Sequence, residues 1–125
     1  MEDLSRIFSN FPFVSSYEIL KFERTRSVLR LKVAVAINDG SQLFLSEATT
    51  PRGFRYAYHW QDAEGRMLAR WDNAPHHQTL VTFPDHFHTA ENIEPAVQPT
   101  IREVFEYLAN RLRNRPAGEA IGKPT

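Results

Sequence analysis

The stretch from Leu29 to Ile37 alternates apolar residues with polar or small ones, and this alternation constrains the fold most strongly. Because a β-strand projects successive side chains to opposite faces, the pattern predicts a strand with one buried face. Asn38-Asp39-Gly40 then marks a turn, and Leu43 resumes the apolar pattern. A three-residue loop with a left-handed Gly40 pairs Val35 with Leu43, whereas a two-residue loop would put Leu43 on the polar side. We therefore predict a hairpin with a three-residue loop.

A second hairpin is predicted from Phe54 to Asp72, where large aromatic residues occupy every second position. These residues are Phe54, Tyr56, Tyr58 and Trp60. If the loop has two or four residues, Trp71 joins the aromatic face, whereas a three-residue loop would place Trp71 among polar side chains. We prefer a loop of two or four residues, which brings His59, Arg70 and Asp72 together on the opposite face, with Arg55 beside them.

Two helices are expected, one near each end of the chain. At the N-terminus, four apolar residues have helical spacing before Pro12: Leu4, Ile7, Phe8 and Phe11. Near the C-terminus, Thr100 and Glu103 form a capping box that opens a helix from Thr100 to Asn114. Its predicted buried stripe consists of Ile101, Val104, Phe105, Leu108 and Leu112.

These elements predict an α+β fold, with an antiparallel β-meander of about five strands in sequential order. We expect the first strand at Tyr17–Glu23 and both helices packed on one apolar face. The segment from Asn73 to Gln98 is expected to be a long ordered loop with one short strand near Leu80–Phe83. We predict one globular domain, residues 1–115, followed by a flexible tail, residues 116–125.

Composition excludes several classes of function. Fifteen basic and fifteen acidic residues cancel, so nucleic-acid binding would need a local cationic patch. The chain has no cysteine, which excludes disulfides and thiol catalysis. No leader or membrane-length apolar run is evident, and we expect a cytoplasmic protein.

All five histidines fall between His59 and His88, so this histidine-rich window is where near-neutral acid–base chemistry would take place. One hypothesis is metal-independent cleavage of RNA, which needs two proton-transfer groups and a cation near the phosphate. His59, with one of His76, His77, His86 or His88, would transfer protons. Arg70 would bind the phosphate, and Asp72 would orient a histidine or hold Arg70. The alternative is that Arg70 and Asp72 form a structural ion pair and His59 is merely solvated.

A metal site is a second hypothesis. His86-Phe87-His88 would place two imidazoles on one side of an extended segment. Asp72 and His76 could add ligands, and this donor set suits zinc or another transition metal.

A third hypothesis is a non-catalytic binding module in which the aromatic residues of Phe54–Trp60 contact bases or a partner helix. Large rings alternating along a strand more often belong to the core, and we favour the core interpretation.

Three segments carry a resemblance to a known family: Tyr58–Asp62, the block Arg70-Trp71-Asp72-Asn73-Ala74-Pro75-His76-His77, and Thr82–His88. Together with the C-terminal helix, they resemble the TumE family of toxins from bacterial and archaeal toxin–antitoxin systems, over about residues 15–112. The resemblance implies toxicity relieved by a helix-turn-helix antitoxin similar to TumA. It implies no settled catalytic residues.

From the residue patterns and the family resemblance together, we predict a toxin that acts as a metal-independent endoribonuclease. The expected catalytic residues are His59, Arg70, Asp72, His76 and His77. Arg55, His86 and His88 are expected to bind substrate. No cofactor is required, although a divalent metal bound through His86, His88, Asp72 and His76 is an alternative. We expect an antitoxin and RNA as partners, no membrane, and a homodimer as one option.

Overall fold

A computed structural model of the chain describes residues 3–75 and 84–114. Its seven strands form one antiparallel sheet in sequential order. The strands are β1 (Val14–Arg24), β2 (Leu29–Ile37), β3 (Gln42–Thr50), β4 (Gly53–Gln61), β5 (Met67–Asp72), β6 (His86–Thr89) and β7 (Ile93–Pro95). The helices are α1 (Leu4–Asn10) and α2 (Ile101–Arg113). The predicted α+β fold is confirmed.

The first predicted hairpin is confirmed, including its loop. Val35 pairs with Leu43 across β2 and β3. Gly40 adopts the left-handed φ of 93°, and the Gly40 N–H donates to the Ile37 carbonyl at 3.0 Å. Only glycine adopts this backbone conformation without steric cost, so the Asn-Asp-Gly sequence sets the register of the sheet.

The second hairpin has the predicted faces but a different loop. Asp62 and Arg66 close a three-residue loop, in which the Asp62 N–H donates to the Arg66 carbonyl at 2.9 Å. A register shift between Trp60 and Gln61 then restores the alternation. Trp71 therefore pairs with Tyr58 and lies in the core. The preference for a two- or four-residue loop was wrong because a β-bulge adds one residue to β5.

Both helices pack on one face of the sheet, the helix-covered face. Phe8 of α1 contacts Phe105 of α2, with ring centroids 5.5 Å apart. Tyr107 of α2 packs edge-on against Trp71 at 5.1 Å. Val104, Phe105 and Leu108 are buried as predicted, whereas Ile101 and Leu112 are only partly buried. The capping box of Thr100 and Glu103 is also present.

The expected count of five strands was too low. β6 and β7 lie within the segment that we interpreted as a long loop. β6 has four residues and β7 has three, which is too few for a sequence pattern to identify a strand. The strand predicted near Leu80–Phe83 and the tail, residues 116–125, lie outside the described residues. Among the residues that the structure covers, no helix is both long and apolar enough to cross a membrane.

The opposite face of the sheet carries no helix from the described ranges 3–75 and 84–114, and we call it the helix-free face. It presents the side chains that alternate with the core residues of β2, β4 and β5. Lys32, Ala57, His59, Arg70 and Asp72 belong to it. Polar residues therefore alternate with the core residues along these strands, and their side chains point to the opposite face of the sheet.

Candidate functional site

Three neighbouring strands place ionisable side chains in two adjacent rows on the helix-free face. In the first row, His59 of β4 pairs with Arg70 of β5, which pairs with His88 of β6. In the second row, Asp72 of β5 pairs with His86 of β6. Directly paired residues have side chains on the same face, so an imidazole, a guanidinium and a second imidazole stand side by side.

Asp72 holds the two rows together, although it is only 4% exposed. Its Oδ2 accepts a hydrogen bond from Arg70 Nε at 2.8 Å, and its Oδ1 accepts one from the Ala74 N–H at 3.0 Å. Burial alone would raise the pKa of Asp72. The hydrogen bonds from Ala74 and Arg70 and the charges of His86 and Arg70 outweigh burial and hold this pKa below its usual range.

The two histidines of β6 approach the same carboxylate from the other side. His86, 2% exposed, has Nε2 at 2.7 Å from Asp72 Oδ1, and its Nδ1 donates to the Pro84 carbonyl at 2.8 Å. His88 Nε2 lies 3.3 Å from Asp72 Oδ2. Carbonyl and carboxylate oxygens only accept hydrogen bonds, so each ring nitrogen of His86 faces an acceptor.

His59 stands at the opposite end of the first row and is partly exposed. Arg70 Nη1 lies 3.3 Å from His59 Nδ1, and His59 Nε2 lies 3.1 Å from Gln61 Oε1. Guanidinium can only donate, so Nδ1 accepts and Nε2 carries the proton. Burial, followed by the charge of Arg70, lowers the pKa of His59, partly opposed by the Gln61 hydrogen bond. The ring is therefore neutral at pH 7.

Beside the first row, the helix-free face forms an open depression of about 380 Å³. Lys32 and Arg70 line it as cations, and Phe44 provides an aromatic surface. The Phe44 and His59 rings lie with centroids 6.5 Å apart. The depression thus combines positive charge with a planar apolar surface next to the imidazole.

The comparisons with known proteins identify the chain's family. The model of the family described as Toxin TumE matches residues 4–114, which spans both helices and all seven strands. The chain belongs to the TumE toxin family. No curated protein and no solved structure matches it.

In this TumE-family toxin, the four consecutive residues from Arg70 to Asn73 have different structural roles. Arg70 and Asp72 point to the helix-free face, while Trp71 packs in the core. Asn73 continues the pairing with β4: its Oδ1 accepts from the Tyr56 N–H at 3.0 Å, and its Nδ2 donates to the Phe54 carbonyl at 2.8 Å. The block therefore fixes the end of β5 at the site.

Most of the residues singled out from the sequence meet in the structure. His59, Arg70, Asp72, His86 and His88 form one connected group. Arg55 is on the same face, at the Ala48 pair, and is exposed. His76 and His77 lie outside the described residues.

Sequence reasoning missed several contributors to the site of this TumE-family chain. Gln61, Lys32, Phe44 and the Pro84 carbonyl all contact or line it. The alternation already places Gln61 on the face of His59, two residues further on, although Gln61 was not predicted as a site residue. Phe44 and Lys32 required the strand order across the sheet.

The structure also supports part of the metal hypothesis. Asp72, His86 and His88 each offer a ligand atom, and these atoms lie within 4.8 Å of one another. The Pro84 carbonyl orients His86 through Nδ1, as in many metal-binding histidines. The Arg70 guanidinium on the same carboxylate opposes a second cation there.

Proposed function

We propose that this TumE-family toxin is a ribonuclease that cleaves RNA on the helix-free face of its sheet by acid–base catalysis. The observation that carries the proposal is the row His59–Arg70–His88 across three neighbouring strands. Two imidazoles flanking one guanidinium are the groups that cleavage at a 2′-hydroxyl needs, with each proton transfer contributing about 10²–10⁴-fold.

His59 is suited to be the general base. Its ring is neutral, and its Nδ1 lone pair faces Arg70 Nη1. When Arg70 Nη1 instead donates to a substrate phosphate, the lone pair on His59 Nδ1 becomes free to take the proton from the 2′-hydroxyl. The 2′ oxygen then attacks phosphorus and the bond to the 5′ oxygen breaks.

His88 is suited to be the general acid that protonates the leaving 5′ oxygen. Its Nε2 lies 3.3 Å from Asp72 Oδ2, so in this proposal the other ring nitrogen, Nδ1, donates the proton to the leaving oxygen. Asp72 and His86 act as positioning residues, because both are buried and hold Arg70 and His88 in place. His76 and His77 stay candidates from the sequence for the same proton transfers.

Charge on the helix-free face supports RNA as the substrate. The whole chain is neutral, yet Lys21, Lys32 and Arg55 belong to this face. None of the ion pairs found among residues 3–75 and 84–114 involves these three cations. They are therefore available to bind a phosphate backbone.

The test is cleavage of a labelled single-stranded RNA by purified protein, together with growth after induction in cells. We expect products with a 2′,3′-cyclic phosphate and a 5′-hydroxyl, and no cleavage of RNA with 2′-deoxy sugars. Arg70→Ala and His88→Ala should each lower the rate by about 10²-fold or more and abolish growth arrest.

Arg113→Ala is the matched control, since Arg113 is an exposed arginine near the end of α2. It should retain wild-type cleavage and toxicity. If wild type cleaves no RNA while Arg70→Ala still arrests growth, the proposal is wrong. Circular dichroism of each variant separates loss of chemistry from loss of folding.

A metal-dependent hydrolase is the second candidate, and the Asp72–His86–His88 grouping favours it. Imidazole and carboxylate ligands suit zinc. In that case elemental analysis of the purified toxin should give about one metal ion per chain, and chelation should abolish activity. The acid–base mechanism instead predicts full activity in excess chelator.

A further inference from the structure

The helix-covered face has an apolar end that neither helix covers. Ile19 and Phe22 of β1 are 58% and 62% exposed, and Leu29 and Phe54 are each 40% exposed. Their backbone partners place them on the core side of the sheet: Ile19 pairs with Val33, and Phe22 pairs with Leu31. Large apolar side chains concentrated in this way usually mark an interaction surface.

Phe22, Leu29 and Phe54 line a groove of about 490 Å³, which we call the apolar groove. Val28, Leu31 and Ala48 complete its apolar lining. Glu47 also lines a second depression of about 460 Å³ that reaches the start of α2. The two depressions therefore adjoin along the same face of the sheet.

The charges at the apolar groove select the chemistry of its partner. Arg24 and Arg26 line it at the β1–β2 turn. Glu47 is the one acidic residue in its described lining, and its carboxylate accepts a hydrogen bond from the Tyr58 hydroxyl. A complementary partner would present large apolar side chains flanked by acidic ones.

We propose that the apolar groove is the docking site of the antitoxin, which inserts an amphipathic, acidic segment into it. A toxin family implies an antitoxin partner. The groove lies on the opposite face of the sheet from His59 and Arg70, so docking there anchors the antitoxin independently of the RNA-directed chemistry. The inference rests on family membership and stands whether or not the toxin cleaves RNA.

The experiment uses the full chain with Phe22→Gln and Leu29→Gln, separately and combined. Ile93→Gln is the matched control, because Ile93 is an exposed apolar residue on the far edge strand β7. Each variant is expressed in cells alone and together with the antitoxin that the family implies. Calorimetry with the purified antitoxin then gives the dissociation constant.

The groove variants should arrest growth alone as wild type does, yet escape rescue by the antitoxin, with a dissociation constant raised at least tenfold. Ile93→Gln should be toxic and fully rescued. Arg24→Glu with Arg26→Glu should also weaken binding, whereas Arg113→Glu should not. A groove variant that loses toxicity is judged by its thermal melt, which shows whether it folds, and by its dissociation constant for the antitoxin. An unchanged dissociation constant overturns the proposal.

One other occupant would also overturn it. If wild type is a dimer and Phe22→Gln with Leu29→Gln is a monomer that binds antitoxin normally, the apolar groove joins two copies of the chain.

Discussion

The two faces of this sheet use the same strands for opposite purposes. On β4, Tyr58 and Trp60 point into the core, while His59 between them points to the helix-free face. On β5, Ala69 and Trp71 are core residues, while Arg70 and Asp72 carry the ionic network. Apolar burial stabilises one face, and charge-assisted hydrogen bonds organise the other. Their stabilities should therefore respond differently to mutation and to pH.

The largest effect is expected on the helix-covered face. Phe105 is fully buried and contacts three aromatic rings. Phe105→Ala should lower the free energy of unfolding by about 3–5 kcal/mol, because it leaves a cavity in the core. Urea denaturation at pH 7 measures this, with Glu106→Ala on the exposed side of α2 as control. A loss below about 1 kcal/mol would mean that α2 does not anchor the fold.

Asp72→Asn should be next in size, with a loss of about 2–3 kcal/mol at pH 7, since hydrogen bonds to a charged group are removed. The matched control is Glu23→Gln, an acidic residue in a half-exposed pair with Arg30, which should cost less than about 1 kcal/mol. Because the folded-state pKa of Asp72 is lowered, its stabilisation is complete above its ordinary value of 3.8. It is lost as the pH falls through the folded pKa. Equal losses in the two variants would contradict the buried network.

His59→Gln should change the pH dependence of stability more than its value at pH 7. The pKa of His59 is lowered from 6.5 on folding, so the unfolded chain takes up the proton first. Stability conferred by the neutral ring is therefore full above pH 6.5 and declines as the pH falls toward the folded pKa.

The measurement for this variant is denaturation at several pH values from about 7.5 down to about 5.5, which is one unit either side of the ordinary histidine pKa. His59→Gln should show a smaller decline than wild type, since the other four histidines are the same in both proteins. Identical slopes would show that His59 is not perturbed by burial and Arg70.

The smallest stability effect is expected at Arg55, which is exposed on the helix-free face. Arg55→Ala should alter the free energy of unfolding by less than about 0.5 kcal/mol. If Arg55 binds a phosphate, the variant should weaken RNA binding and reduce the salt dependence by about one charge. Arg113→Ala should leave both unchanged, and equal RNA affinity in the two variants would remove Arg55 from the binding surface.

Local sequence patterns predicted much of this molecule because they report on alternation and capping. The left-handed Gly40 and the Thr100–Glu103 box follow from backbone chemistry that acts within a few residues. The meeting of His59 with Arg70 followed from alternation, even though the bulge in β5 was not foreseen. That bulge left no clear mark on the sequence.

Long-range pairing accounts for what the sequence did not predict. The contact of Asp72 with His86 and His88 depends on β6 pairing with β5, and the four residues of β6 are too few to show a period. The apolar groove also depends on the lengths of the helices relative to the sheet. No residue of β1 alone indicates which part of the strand a helix will cover.

The most direct test of our central claim places RNA on one face of the sheet. Alanine methyl groups report on both faces: Ala57 lies on the helix-free face between Arg55 and His59, and Ala69 is buried on the helix-covered face. The toxin, labelled at its alanine methyls, is titrated with a single-stranded 2′-O-methyl RNA that cannot be cleaved. We predict that the Ala57 resonance shifts with RNA while that of Ala69 does not. A shift at Ala69 without one at Ala57, or no shift at either methyl, would contradict the assignment of RNA to the helix-free face.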